Sequence, residues 1–298
     1  MKTRQISAWV MAGLVMSAAF TSCKKSDDVA TLPPIGGYNG SNDVAATNMI
    51  AHWTFDGTNN EAISGTAPSK STNASFTTGV KGQALQLSSG YLLYPVISSL
   101  SSASALGSVT VSAWVNTANN GTTASEYFGL TSPSATDWGQ MINLLVETGQ
   151  KKSTVDTLVL HGFVGQYSSG QRSGQDNVNS GDAADAGNTF KVTKVSGQWT
   201  HVVFKYDGSS STIDIYANGS VVSNSRYRQR GTTGPLVFPT PSQVLIGAFP
   251  NVNSGFASSA NQVWQGLFNG SIDEVRVYNK ALSDTDVSSL YQLEKAGR

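Results

Sequence analysis

From Met49 onward, short apolar runs alternate with polar and turn-forming residues. In SVTVSAWV, residues 108–115, every second side chain from Val109 to Val115 is apolar, and Thr110, Ser112 and Trp114 occupy the positions between. A period of two places alternate side chains on opposite faces of a β-strand. Repeated along the chain, the pattern predicts about ten to twelve short strands.

Two turn signals flank the run STIDIYANG. Asp207-Gly208 precedes it and Asn218-Gly219 ends it. Such pairs favour tight turns because both residues tolerate positive φ. Two successive antiparallel hairpins are therefore predicted here.

A helix is predicted only near the C-terminus. Ser283 is a candidate N-cap with Asp286 three residues further on, and Val287, Leu290 and Tyr291 form an apolar stripe. Strands do not alternate with helices elsewhere, so the fold class is all-β with one short C-terminal helix.

Composition narrows the class of protein further. The 298 residues suffice for one large β domain, and the 30 glycines suit many turns. Lys plus Arg and Asp plus Glu are 19 each, charged residues make up 13%, and the body of the chain has no basic run. Nucleic acid is therefore excluded as an expected partner.

The N-terminus is typical of a signal peptide, with Lys2 and Arg4 before a mostly apolar stretch over residues 6–20. The sequence FTSC ends at Cys23, the single cysteine, and resembles the lipobox of bacterial lipoproteins. We expect a signal peptide over residues 1–22, lipidation of Cys23, a flexible tether over residues 23–47 and one domain over residues 48–298. KKSDD, residues 24–28, resembles an export signal to the outer face of the outer membrane, or is simply part of a solvated tether.

Six stretches together resemble, in order, the LamG-like jelly-roll domains of the concanavalin A-like lectin/glucanase superfamily. They are AHWTFDG at 51–57, GVKGQALQL at 79–87, SVTVSAWV at 108–115, GQWTHVVFKYDG at 197–208, IDIYANG at 213–219 and FNGSIDEVRVYNKALSDTDVSSLY at 268–291. The resemblance implies a jelly roll in which two antiparallel sheets pack face to face and the first and last strands are neighbours.

The resemblance also implies a structural Ca²⁺ near the paired termini. By position, Asp56 and Asp273 would be side-chain ligands, with Glu61 where many relatives have an aspartate. Calcium takes six to eight oxygen ligands, which carboxylates and carbonyls of two turns can supply. The alternative is structural: Asp56 starts an Asx turn and Asp273 binds a nearby backbone amide.

Next to Asp273, Glu274 and Arg276 lie two residues apart on one strand, which predicts a surface ion pair of little energetic value.

Catalytic patterns are missing from the sequence. Glucanases of this fold carry Glu-x-Asp-x-(x)-Glu on one strand, whereas Glu126 and Glu147 each stand alone here. His52, His161 and His201 are far apart in sequence, and no G-x-S-x-G motif is present. We therefore expect a non-catalytic protein.

Aromatic and polar residues in two apparent loops suggest binding instead, since sugar rings stack on aromatic faces. The long segment 164–190 carries Tyr167 and Arg172, and 223–241 carries Tyr227 and Arg228. Further candidates are Trp138 and Trp264, whereas Trp53, Trp114 and Trp199 are expected in the core. The expected function is a module that binds a glycan or glycoprotein at the cell surface, anchored in the outer membrane through its N-terminal lipid. A structural or adhesive protein with protein partners and a divergent glycan hydrolase remain the alternatives.

Overall fold

The computed structural model describes residues 32–180, 187, 188 and 190–298. Within this part, the chain forms fourteen strands and one α-helix. The strands are β1 (Met49–Trp53), β2 (Lys70–Thr78), β3 (Gln83–Leu93), β4 (Val109–Asn116), β5 (Ala124–Thr131), β6 (Ile142–Val146), β7 (Leu160–Ser168), β8 (Gln171–Val178), β9 (Thr200–Asp207), β10 (Thr212–Ala217), β11 (Ser220–Val221), β12 (Gln243–Ile246), β13 (Gln265–Gly266) and β14 (Phe268–Tyr278), and the helix is α1 (Asp284–Lys295).

All strands belong to one hydrogen-bonded sheet with the order β11-β10-β9-β4-β14-β3-β12-β5-β6-β7-β8. β1 also pairs with β14, β2 with β3 and β13 with β5, and the β13–β5 pair alone is parallel. β3 and β12 join the two halves of the sheet. The pairing of β1 with β14 confirms that the first and last strands are neighbours.

The sheet curls so that its two halves face each other across one core. Gly162 in β7 faces the ring of Phe204 in β9, and a Cβ atom at Gly162 would lie 2.2 Å from that ring. Deeper in the core, the Trp53 ring meets Tyr94 and Phe128 edge-on, with centroids 5.5 and 6.2 Å apart. The predicted all-β jelly roll is confirmed.

The two hairpins and the C-terminal helix that were predicted from local sequence patterns are confirmed. β9, β10 and β11 form the two predicted hairpins, with Asn218 at φ 50° and Gly219 at φ 78° in the second turn. The Ser283 hydroxyl accepts a hydrogen bond from the Asp286 N–H at 3.1 Å, which caps α1 as expected.

The buried face of α1 packs on the outer side of the sheet. Its fully buried apolar side chains are Val287, Leu290 and Leu293, which join a small core with Val203, Tyr216 and Tyr278. Tyr291 lies beside this core, stacked on Trp114 with ring centroids 5.6 Å apart.

The segment before β1 is part of the folded domain from Pro34 onward. Val44 is fully buried, and the Tyr38 hydroxyl donates to Asp286 of α1 at 2.7 Å. The Ser41 N–H donates to the carbonyl of Arg298 at 3.2 Å. The flexible tether was predicted to extend to residue 47, but these contacts hold its second half against the domain.

The predicted signal peptide, Cys23 and residues 24–28 lie outside the described residues. Among the residues that are described, no helix is long and apolar enough to span a membrane.

The expectation of a surface ion pair between Glu274 and Arg276 is wrong, because both side chains are fully buried. A bulge interrupts the β14–β4 register between Asp273 and Arg276, and Glu274 adopts φ 47°. The two residues do pair, but α1 and the segment before β1 cover them. Arg276 donates from Nε to Oε1 of Glu294 at 2.7 Å and from Nη2 to Glu274, so β14 and α1 are joined by a buried ion network.

Candidate functional site

Trp138 and Trp264 meet on the outer face of the β5–β8 half of the sheet. Trp138 lies in the segment between β5 and β6, and Trp264 directly precedes β13. Their rings are nearly perpendicular, at 87°, with centroids 5.3 Å apart, and both contact the buried ring of Phe249. The two half-buried indoles therefore form a fixed corner with apolar support behind it.

This corner is one wall of a cavity of about 380 Å³, which we call the tryptophan pocket. Its lining residues are Thr122, Ala124, Trp138, Leu145, Glu147, Gly149, Gln150, His161 and Trp264. Apolar walls with a few converging polar groups are typical of small-molecule sites.

Glu147 and His161 supply the charged end of the tryptophan pocket. His161 Nδ1 lies 2.7 Å from Glu147 Oε1, and its Nε2 lies 3.4 Å from Asp176 Oδ2, an ion-pair distance without hydrogen-bond geometry. Burial favours the neutral imidazole, but the Asp176 and Glu147 carboxylates outweigh burial and raise the pKa of His161 to about 9. His161 is therefore a cation at neutral pH, held between two carboxylates.

Arg230 extends this chain of charges. Its Nη2 lies 3.4 Å from Asp176 Oδ1. Arg230 thus connects the segment over residues 223–241 to the pocket through Asp176 and His161, and its own role is to position them.

A second, smaller cavity shares Trp138 with the tryptophan pocket. It measures about 260 Å³ and is lined by Asp137, Trp138, Gly139, Phe163, Arg172, Gly174 and Gln262. Arg172 donates from Nη1 and Nη2 to the two oxygens of Asp137 at 2.9 and 2.8 Å. Gly174 makes room for the Phe163 ring, since a Cβ there would lie 2.6 Å from it.

The structure gathers three of the six predicted ligand residues, Trp138, Trp264 and Arg172, around these two cavities. Tyr167 is nearby, because its hydroxyl donates to Gln140 Oε1 at 3.3 Å and it pairs with Arg172 across β7 and β8. Residues 164–178 were predicted as a loop, and this is wrong: they form most of the β7–β8 hairpin.

Tyr227 and Arg228 lie apart from these cavities, and neither belongs to their lining. Arg228 donates to both oxygens of Asp214 at 2.5 and 3.1 Å. The Tyr227 ring lies 5.5 Å from the Arg226 guanidinium and 5.6 Å from that of Arg230. Arg228 therefore has a structural partner in β10, and the Tyr227 ring has its contacts within the segment over residues 223–241.

Sequence reasoning missed Glu147, His161 and Phe163. Fourteen residues separate Glu147 from His161 in sequence, and they become neighbours only because β6 and β7 pair in antiparallel register. The only signal in the sequence was that Glu147 and His161 each border an apolar run, which places them on or next to strands.

Glu126, the other isolated acid in the sequence, is buried in β5. Its Oε1 accepts a hydrogen bond from Asn143 Nδ2 at 2.9 Å. Burial raises the pKa of Glu126 well above its ordinary value, against a smaller opposing effect of Asn143. An enclosed carboxyl of this kind is part of the interior packing.

Two of the three proposed calcium ligands bind the turn between β2 and β3. Asp273 Oδ2 accepts from the N–H groups of Val80 at 2.7 Å and Lys81 at 3.1 Å. Asp56 Oδ1 accepts from the Gln83 N–H at 2.7 Å. Burial raises the pKa of Asp273 to about 7. The bonds of Asp273 match its structural alternative, whereas Asp56 binds a distant backbone N–H instead of starting the expected Asx turn.

The third proposed ligand, Glu61, also accepts hydrogen bonds from backbone N–H groups. Its oxygens accept hydrogen bonds from the N–H groups of His52 at 2.7 Å, Ile63 at 2.9 Å and Ser64 at 2.6 Å. In the described part of the chain, no group of three or more His, Cys, Asp or Glu side chains is placed to hold a metal ion. Asp56, Glu61 and Asp273 each accept hydrogen bonds from backbone N–H groups, and calcium binding stays a prediction.

Residues 86–288 match the model of the Laminin_G_3 family, described as concanavalin A-like lectin/glucanases superfamily. No curated protein matches the chain.

One similar solved structure is domain 4 of AbnA, a GH43 extracellular arabinanase from Geobacillus stearothermophilus, in complex with arabinotriose. Its sequence is 20% identical to this chain, and the match covers 82% of this chain and 98% of that domain with a TM-score of 0.50. The binding domain of botulinum neurotoxin serotype G is 10% identical, with coverage of 83% and 51% and a TM-score of 0.55. The binding domain of botulinum neurotoxin DC, in complex with SialylT, is 12% identical, with coverage of 84% and 52% and a TM-score of 0.52. The chain thus spans about half the length of the toxin binding domains, and at these identities the likeness is one of fold.

Proposed function

Because the chain belongs to the concanavalin A-like lectin/glucanases superfamily, we propose that it is a non-catalytic glycan-binding module whose binding site is the tryptophan pocket. The observation that carries the proposal is the perpendicular pair of Trp138 and Trp264, 5.3 Å apart, beside the carboxylate of Glu147.

The chemistry of the pocket suits a sugar. The apolar face of a pyranose or furanose ring can stack on one indole while the other indole limits its position from the side. The Glu147 carboxylate borders the same cavity and accepts hydrogen bonds, as sugar hydroxyls require. His161 holds Oε1 of Glu147 at 2.7 Å, so the carboxylate is fixed before the ligand arrives.

The composition of the lining favours binding over hydrolysis. Glycosidases of the usual kind place two carboxyl groups on opposite sides of the scissile bond. Glu147 is the single carboxylic acid among the described residues that line the tryptophan pocket. The divergent-hydrolase alternative lacks its second acid there.

The similar structures support the same class of ligand. The arabinanase domain was solved with arabinotriose and one of the toxin binding domains with SialylT. Arabinotriose is therefore the first probe to use, followed by a glycan array that covers neutral and acidic oligosaccharides.

Calorimetric titration tests the proposal. The wild-type protein should bind arabinotriose or an array-selected glycan. Trp264→Ala should weaken binding at least about fivefold, since one aromatic stacking contact contributes on the order of 1 kcal/mol or more. Tyr227→Ala is the matched control, because Tyr227 is an exposed aromatic outside the pocket lining. Equal losses for the two variants would show that binding is not specific to the tryptophan pocket. An array without any bound glycan, together with a protein captured by surface cross-linking, would favour the adhesive alternative.

We also propose that Cys23 is lipidated and holds the module at the cell surface, with residues 24–28 acting in export. The support is the motif FTSC after an apolar stretch. Cys23→Ala should leave the protein in the soluble fraction and incorporate no labelled fatty acid, and intact cells should expose the wild-type domain to added protease. A Cys23→Ala protein that still sediments with membranes contradicts the anchor.

A further inference from the structure

A third cavity, of about 470 Å³, lies on the side of the sheet that carries α1. We call it the lysine pocket. Its lining residues are Val80, Trp114, Lys194, Val195, Gln198, Trp199, Asn218, Tyr291 and Lys295. Trp199 was expected in the core, but it is only half-buried and belongs to this lining.

The aromatic floor of the lysine pocket is held in place from behind. Tyr291 stacks on Trp114 with an interplanar angle of 27°. The Trp114 Nε1–H donates to Oε2 of the buried Glu294 at 2.8 Å, and this fixes the indole. Trp199 adds a second indole to the wall, so the cavity presents the same kind of flat apolar surface as the tryptophan pocket.

Both charged residues in the lining of the lysine pocket are basic. Lys194 and Lys295 are exposed, and no aspartate or glutamate is among the described residues that line the cavity. The Lys295 ammonium lies 3.1 Å from the Tyr291 hydroxyl and 5.3 Å from the centre of its ring, so it is placed over the aromatic floor. Lys194 has φ 60°, a left-handed conformation that is energetically unfavourable for any residue except glycine.

Planar polar groups complete the lining. Gln198 and Asn218 border the cavity between the aromatic and the basic residues. Amide side chains both donate and accept hydrogen bonds, which matches sugar hydroxyls. Two ammonium groups on this lining favour a ligand that also carries an anionic group.

We propose that the lysine pocket is a second binding site, separate from the tryptophan pocket, that takes an acidic sugar unit carrying a carboxylate or a sulfate. The ring of the sugar packs on Trp199 or Tyr291, and Lys194 and Lys295 bind the anionic group. The proposal does not depend on the function of the tryptophan pocket, because the two cavities share no lining residue.

The test uses the full folded domain with its N-terminal segment and three probes: trigalacturonate for the carboxylate, a sulfated dextran oligosaccharide for the sulfate, and neutral dextran of the same length. At low salt the wild type should bind one or both acidic probes and not the neutral one. Lys194→Ala and Lys295→Ala should each weaken that binding about tenfold, as expected for loss of a hydrogen bond to a charged group. Binding should also weaken as salt is raised.

Three comparisons separate this site from general charge attraction and from the other pocket. Lys152→Ala removes an exposed lysine outside the lining and should bind like wild type, and so should Trp264→Ala. Trp199→Ala should lose affinity while its thermal melting curve shows that it is folded. Wild-type affinity in both pocket-lysine variants, or an equal loss in Lys152→Ala, would overturn the proposal; loss in Trp264→Ala would place the acidic ligand in the tryptophan pocket.

Discussion

Gly162 in β7 faces the ring of Phe204 in β9 so closely that even a methyl group would overlap the ring, at 2.2 Å. This contact is where the two halves of the sheet approach each other. A larger residue must push the halves apart or force Phe204 from its rotamer, and overpacking of this kind costs about 1–3 kcal/mol.

Gly162→Ala should therefore lower the free energy of unfolding by that amount, measured by urea denaturation. Gly40→Ala is the control, because its added Cβ would meet only ordinary contacts at 3.9 Å. Equal stability of the two variants would show that the halves are not packed as described.

Removal of Arg276 should be far more damaging than removal of Arg172. The Arg276 guanidinium is fully buried between Glu274 and Glu294, so Arg276→Met leaves two enclosed carboxyl groups without their cation. Breaking a buried pair costs about 3–5 kcal/mol. Arg172 and Asp137 are 31% and 42% exposed, and Arg172→Met should cost no more than about 1 kcal/mol. Similar losses in urea denaturation would contradict the burial of the network.

The raised pKa of His161 predicts that the folded protein loses stability at alkaline pH. The pKa of His161 is raised to about 9, above the ordinary 6.5 of an unfolded chain. Its stabilising contribution is fully present below pH 6.5 and is lost as the pH rises through about 9. The contribution is at most about 3 kcal/mol, from the usual conversion of a pKa shift to free energy.

The measurement is the difference in melting temperature between wild type and His161→Gln from pH 6 to pH 10. That difference should shrink towards pH 10, because only the wild type loses the charge on residue 161. Other groups titrate in the same range, and the variant corrects for them. A difference that stays constant with pH would mean that His161 is neutral throughout.

Calcium should be tested together with Asp273. If calcium binds near the paired strands, millimolar calcium raises the melting temperature of the wild type by mass action, and Asp273→Asn reduces the gain. The hydrogen bonds of Asp273 predict a separate effect, because Oδ2 accepts from the N–H groups of Val80 and Lys81 while Oδ1 accepts from the N–H of Glu274 at 2.8 Å. Without calcium, Asp273→Asn should already cost about 1–3 kcal/mol, because the NH₂ group that replaces one oxygen cannot accept a hydrogen bond. A calcium-independent melting curve, with chelator as reference, would leave only the structural role.

The sequence predicted those features of the fold that depend on local patterns. Alternation of side chains in β4, the turn at Asn218-Gly219 and the Ser283 cap are each decided within a few residues, and all are correct. The β7–β8 hairpin was missed because β8 is polar and largely exposed, so its strand lacks the apolar face on which alternation depends.

The candidate site was predicted only in part for a different reason. Trp138 and Trp264 stood out as large aromatic residues near turns, but Glu147, His161 and Asp176 become a charged cluster only through the pairing of three strands. The bulge beside Glu274 likewise depends on the neighbouring strands. Contacts across strands are not encoded in any one segment.

The hydrogen bond from Ser41 to the carbonyl of Arg298, together with the pairing of β1 and β14, holds residues 41 and 298 next to each other. The domain is therefore suited to circular permutation. A short peptide that joins residue 298 to residue 41 would close little additional loop, and the chain could then be opened at Ser169-Gly170, an exposed turn between β7 and β8. The same proximity of its ends would let the domain be inserted into a surface loop of a host protein without separating the host's own strands.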